Sequence, residues 1–158
     1  MYYNLHLMTA TGHAIIGTAI AAAISNPFIA IPVALLSHIP ADLFPHWDPG
    51  THRVSKKTKR LIFDATADGA IGIFISYLLL VFFFPYVSVR YAFSVIVAAQ
   101  FLDYMAIPTN IHGTTKQPFY GVFKLQEKIN KTLDKPWGIV NQAALLFLLI
   151  TIVIYKNR

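Results

Sequence analysis

Apolar runs interrupted by proline-containing turns dominate the chain. The first extends from about Thr9 to Ile24 and stops at Ser25-Asn26-Pro27, a strong turn signal. The second covers Phe28 to about Phe44, ahead of Pro45; the third runs from near Leu61 to Phe84, where Pro85 ends it. A fourth spans about Tyr91 to Ile107, before Pro108, and a fifth Trp137 to Tyr155. The third and fifth are long enough, at 1.5 Å per residue, to cross a hydrocarbon core of ~30 Å. The other three are marginal, so their ends are expected in the interface or against neighbouring helices. The pattern predicts an all-α, polytopic membrane bundle of about five transmembrane helices, with residues 1–158 forming a single integral membrane domain.

Between the fourth and fifth runs, Gln117 to Leu133 has a different rhythm. Phe119, Val122, Phe123 and Ile129 can share one side of a helix, with Lys124, Lys128 and Lys131 elsewhere. That pattern predicts a short amphipathic helix on the membrane surface.

Composition agrees with this reading: 56% of residues are hydrophobic and only 13% charged, about half the share of a soluble domain. The excess of Lys and Arg gives a net charge of +6. Because the basic residues flank apolar segments, they are read as orienting the chain, and no nucleic-acid partner is expected. If five helices alternate, the loops at 45–60 and 108–136 lie on the same side as the N-terminus. Ten of the 13 Lys and Arg fall in those two loops, leaving Arg90, Lys156 and Arg158 opposite. The positive-inside rule then places the N-terminus in the cytoplasm. Met1 to Met8 contains no Lys or Arg, so the first run reads as a retained membrane segment and not a signal peptide. The chain has no cysteine, which removes disulfides and zinc–thiolate sites from consideration.

The acids and histidines form a second polar population. His13 is near the start of the first run, His38 and Asp42 are one helical turn apart near the end of the second, and His46 and Asp48 follow. Asp64 and Asp68 are one turn apart early in the third; Asp103 is late in the fourth, with His112 just after. Under alternation all of them meet at the cytoplasmic face. An Asp near the bilayer centre costs about 2.5–3.5 kcal/mol on insertion scales unless paired, hydrated or metal-bound, so this convergence calls for a physical reason. The i, i+4 pairs His38–Asp42 and Asp64–Asp68 each place two side chains on one helix face. Imidazole and carboxylate donors suit a divalent metal ion, zinc foremost, with manganese or iron(II) as alternatives. The candidate metal ligands are His13, His38, Asp42 and Asp68, with Asp64 or His46 as general base or as a partner orienting a ligand. Asp64 can instead pair with Arg60, four residues earlier, and Asp103 can serve as an interhelical hydrogen-bond acceptor; Asp48 and His52 read as a solvated loop. Gly12, Gly17, Gly69 and Gly72 thin the helices at the same end, as close helix packing requires, and Gly69 can leave room for a ligand.

The segment Thr11-Gly12-His13-Ala14-Ile15-Ile16-Gly17 resembles the opening Thr-His…Gly motif of small bacterial inner-membrane proteins described as membrane-bound metal-dependent hydrolases, the LexA-binding, inner-membrane-associated hydrolase-like family. Ser37-His38-Ile39-Pro40-Ala41-Asp42-Leu43-Phe44-Pro45-His46-Trp47-Asp48 resembles that family's second-helix motif, and only His52-Arg53 matches its later His-Arg…Thr-His-Ser element. The resemblance covers roughly the first third of the chain. It implies a metal hydrolase of the bacterial inner membrane, and a site at headgroup depth makes a lipid or lipid-linked ester or phosphoester the natural substrate. Membrane lipids are the expected partners, and no oligomeric state follows. Signatures of lipid phosphatases, Gly-rich phosphate loops and Gly-x-Ser-x-Gly hydrolases are missing. The competing expectation is a non-catalytic scaffold or metal-binding helical bundle. A conduction path would need polar residues through the full membrane depth, whereas here they gather at one end.

Overall fold

The computed structural model describes residues 9–47 and 58–157 of the chain. Among them are seven helices: α1 (Ala10–Ala23), α2 (Pro27–Leu43), α3 (Thr58–Phe83), α4 (Val89–Ala99), α5 (Phe101–His112), α6 (Phe119–Ile129) and α7 (Trp137–Lys156). Asp48, His52, Arg53, Lys56 and Lys57 lie outside the described residues.

Local signals set most boundaries. Asn26 caps α2 by accepting from the Phe28 N–H at 2.9 Å, and Pro27 follows in the first turn, where its missing N–H costs nothing. Pro85 follows the end of α3. Gly113, at φ 64°, closes α5 in the left-handed conformation that favours glycine. The fourth apolar run departs from expectation. It forms two helices, bent by 48° about Gln100, and the second continues through Pro108 to His112. At the bend the Asp103 and Tyr104 N–H groups both turn to the Gln100 carbonyl, at 3.1 and 3.3 Å. Tyr104 Oη donates to Gln100 Oε1 at 2.7 Å, holding the corner from the side-chain level.

The spanning count is also smaller than five. Among the described residues, only Ile62–Phe83 within α3 and Trp137–Lys156 are individually long and apolar enough to cross a membrane, with α4 and α5 a third if the bent pair is one span. α1, with 14 residues, reaches about 21 Å, and α2, with 17, about 26 Å. Both were expected as marginal spans with their ends in the interface or against neighbours, and α1 is the hub of the bundle. From Gly12 to Ala22 every residue except Ile20 is buried. It packs on α2, α3, α4 and α7. The lipid-like surface belongs to the outer helices, where Phe63, Phe74, Phe82, Phe147 and Leu148 are exposed.

Helix directions follow from individual contacts. Tyr91 Oη donates to the Ile24 carbonyl, whereas Gly17 lies against Ile96 and Ala99, so α4 runs antiparallel to α1. Gln142 meets Thr9, and Val153 joins the core around Ala19 and Ala22, so α7 runs parallel to α1. Asp68 meets Ala10 while Gly72 meets Ala14, making α3 parallel as well. His38 lies beside His13 and Ala34 joins Ala19 and Ala22, which sets α2 antiparallel. The start of α1, the end of α2, the start of α3 and the α4–α5 corner therefore share one end of the bundle.

α6 is more than a surface helix. Its side bearing Phe123 and Gln126 is buried on α5 and α2, with Phe123 against Ala106. The segment after it then zips onto the end of α2. Lys131 N–H donates to the Asp42 carbonyl at 2.9 Å, His46 N–H to Lys131 O at 3.1 Å, and Leu133 N–H to His46 O at 2.6 Å.

Two glycines permit the close approach on which this packing rests. A Cβ on Gly72 would stand 2.7 Å from Thr11 Cα, and one on Gly17 2.8 Å from Ile96 Cα, while one on Gly69 would meet nothing within 4 Å. Gly72→Ala and Gly17→Ala should each destabilise the fold by about 1–3 kcal/mol through overpacking. Gly69→Ala should be neutral or slightly stabilising. Thermal unfolding of the three variants in detergent checks the ranking.

Candidate metal centre

The first turn of α1 fixes one side of the centre. Thr9 caps the helix by accepting from Gly12 N–H at 3.1 Å, and Gln142 donates to the same Thr9 hydroxyl. Asp68, from α3, accepts from Ala10 N–H at 2.6 Å through Oδ2 and from Thr11 Oγ1 at 2.7 Å through Oδ1. A carboxylate is favoured there because the amino end of a helix carries partial positive charge. With α1 pinned at its start, His13 is held on its first turn and fully buried.

The second side comes from α2 and the α4–α5 corner. His38 Nδ1 donates to the Ala99 carbonyl at 2.8 Å, next to the Gln100 break. A carbonyl only accepts, so this bond assigns the ring's proton to Nδ1 and leaves Nε2 directed inward. The His13 and His38 rings stack with centroids 3.9 Å apart and planes within 5°. Asp42, one turn beyond His38, places one oxygen 3.3 Å from each Nε2. Asp103, in the first turn of α5, lies 3.3 Å from His38 Nε2 and 3.9 Å from His13 Nε2. Both imidazoles thus face both carboxylates.

Charge balance limits what can sit among these groups. A neutral imidazole with its proton on Nδ1 offers a lone pair at Nε2, and a lone pair beside a carboxylate oxygen is repulsive unless a positive group lies between them. Protonating both rings would supply charge, but two imidazolium ions stacked at 3.9 Å would repel in a medium that screens poorly. A single imidazolium between the carboxylates meets part of this need, and one divalent cation would balance both carboxylates while both rings stay neutral. Donor atoms of His13, His38 and Asp103 all lie within 4.8 Å of one another, so this buried group can hold a metal ion. Among the described residues, His13 Nδ1 has no hydrogen-bond partner, and Nε2 faces the carboxylates of Asp42 and Asp103 at 3.3 and 3.9 Å. Three of the four side chains are fully buried; Asp103, at 15% exposure, is the one that reaches toward the surface.

The structure therefore brings together His13, His38 and Asp42 of the candidate ligands and adds Asp103. Asp68 stands apart, with its carboxylate engaged by the start of α1. Asp64 pairs with Arg60 at 2.8 Å on α3. His46 lies just beyond α2, fully buried, with Nδ1 held 2.6 Å from the Phe44 carbonyl and no hydrogen-bond partner for Nε2 among the described residues. Burial pushes its imidazole below the usual histidine range. His112 is exposed at the far end of α5.

Gln126 was not foreseen. From α6 its amide nitrogen donates to Asp103 Oδ1 at 2.8 Å and stands 3.1 Å from His38 Nε2. A signal for it was present, since Gln126 continues the stripe of Phe119, Val122 and Phe123 and is the one polar side chain on it. A buried amide on an apolar face needs a partner on the surface that face covers.

No family profile, no curated protein and no solved structure matches this chain.

The geometry gives Asp68 and Asp103 different partners, the start of α1 for one and the two imidazoles for the other. Asp68→Asn should lower thermal stability by about 1–3 kcal/mol through lost hydrogen bonds at the start of α1, yet leave divalent-metal binding per folded chain unchanged. Asp103→Asn should do the reverse. Unfolding curves and metal titrations on both variants check the distinction.

Proposed function

We propose that the protein is a membrane-embedded, metal-dependent hydrolase acting on a lipid or lipid-linked ester or phosphoester. The observation that carries this reading is the convergence of two buried imidazole Nε2 atoms with two carboxylates at one end of an apolar bundle. His13, His38 and Asp103 would hold the ion, with Asp42 as a fourth oxygen donor or as the charge fixing both rings. Zinc is the first candidate and manganese or iron(II) the next, since two imidazoles with carboxylates are borderline donors. Bound there, a divalent ion would supply Lewis acidity toward a carbonyl or phosphoryl oxygen.

The remaining functions fall to the chain's own groups. The Ala99 carbonyl holds the His38 tautomer and ring orientation. His46, kept neutral by burial and with Nδ1 occupied by Phe44, offers Nε2 as a proton acceptor. Asp103 is the partly exposed member of the cluster, and the basic residues of the 108–136 segment, Lys116, Lys124, Lys128 and Lys131, would attract anionic headgroups. Two or three helices able to cross a membrane are consistent with a membrane protein. Placement in a bacterial inner membrane with the N-terminus in the cytoplasm rests on the family resemblance and on the basic loops.

A second reading keeps the ion and drops the chemistry. His13, His38 and Asp42 are completely buried, as in structural metal sites, which are closed to substrate. In that case the ion ties α1, α2 and α5 together in a non-catalytic bundle.

Elemental analysis of the detergent-purified protein separates these outcomes. The wild type should carry a divalent metal, and His38→Ala should lose it. Asp42→Asn should bind it roughly 10–100-fold more weakly. A folded wild type that takes up no metal would contradict both readings. Metal without turnover on phospholipid and lipid-phosphate substrates would favour the structural one.

A further inference from the structure

The geometry points to Gln126 as a ligand of the bound metal, delivered by α6 through a half-turn of its side-chain amide. This inference rests on the proposed metal site and adds to it a donor from outside the transmembrane helices.

Gln126 is fully buried, and its amide nitrogen addresses two atoms at once, Asp103 Oδ1 at 2.8 Å and His38 Nε2 at 3.1 Å. Those are two of the atoms a cation would use. An amide nitrogen has no lone pair to offer a cation, so an ion held by His38 and Asp103 cannot coexist with an N–H group aimed at it. The same amide carries its remedy. Oε1 is buried and has no hydrogen-bond partner among the described residues. Rotation about the last side-chain bond exchanges oxygen for nitrogen at nearly constant shape, with no repacking required. Facing a carboxylate oxygen and an imidazole lone pair alone, the amide must present N–H; facing a cation, it must present Oε1. The sign of the charge at the cluster selects the orientation.

The backbone keeps Gln126 within reach in both orientations. Phe123, one turn earlier, is buried against Ala106 of α5, and Asn130 N–H donates to the Gln126 carbonyl at 3.0 Å. Lys131 N–H then ties the following segment to the Asp42 carbonyl. Coordination by Gln126 would give the ion a mixed set of two nitrogens and at least two oxygens, suited to zinc, manganese or iron(II). It would also make α6, which packs on α5 and α2, part of the centre.

Titration of the full-length protein in detergent with cobalt(II) and zinc(II) tests this, using wild type, Gln126→Leu and Gln126→Glu, with unfolding curves of the metal-free proteins as a fold control. Gln126→Leu should weaken binding about tenfold or more and alter the visible cobalt(II) bands, because a ligand is lost. Gln126→Glu should retain binding with shifted bands, since a carboxylate oxygen replaces the amide oxygen. Equal or tighter binding by Gln126→Leu with unchanged bands would overturn the inference while leaving the metal site standing. If Gln126→Leu does not fold, the Gln126→Glu spectrum decides, and bands identical to wild type would overturn it. A wild type that binds neither ion would instead refute the proposed site itself.

Discussion

Two stacked imidazoles whose inner nitrogens face two carboxylates form the constraint around which the bundle is organised. Such a cluster is costly to bury, because like-signed lone pairs converge where water cannot separate them. Its surroundings are built to hold it in place. Asp68 and Thr9 fix the start of α1, the Ala99 carbonyl fixes His38, and Gln126 reaches Asp103 from α6. These bonds draw on α1, α3, α4 and α6, so the cluster, carried by α1, α2 and α5, and the packing of six helices depend on one another. A cation at the centre would turn mutual repulsion into cohesion.

The fold serves that requirement through a short central helix. α1 is apolar because it is surrounded by protein, and its small residues allow α3 and α4 to approach closely at Gly72 and Gly17. Those approaches set the distance between the His13 backbone and the elements carrying Asp68 and Ala99. The bend at Gln100 has a similar consequence. It ends α4 next to a carbonyl that receives His38, and it starts α5 so that Asp103 falls in its first turn. One interruption of a helix therefore supplies both a carbonyl that orients a ligand and a carboxylate that can be one.

Much of this was legible in the sequence, for identifiable reasons. Apolar runs ended by Asn26-Pro27, Pro85 and the Trp137 boundary mark helices whatever their depth, and α2, α3 and α7 begin and end within a few residues of expectation. The i, i+4 spacing of His38 and Asp42 put both on one face, and alternation brought His13 to the same end. Hydropathy cannot distinguish a helix apolar because lipid surrounds it from one apolar because protein does, which is why α1 reads as a span; α2 is exposed at Phe28 and Leu36 and falls short by length. The break within the fourth run has no proline or glycine to announce it; Gln100 alone marks it. Asp68 could not be told from a ligand by spacing, because its partners, the Ala10 N–H and the Thr11 hydroxyl, belong to a helix 57 and 58 residues away. Gln126 is uncharged, and its partners Asp103 and His38 lie 23 and 88 residues away, so neither its charge nor its spacing ties it to the cluster.

The central claim is that His13 and His38, with aspartate oxygens, form a cation site. X-ray absorption at the metal edge of the zinc-loaded, full-length protein tests it most directly. A first shell of nitrogen and oxygen with the outer-shell scattering of two imidazoles is expected, reduced to one imidazole in His13→Ala. A shell of oxygen alone, without imidazole scattering, would contradict it.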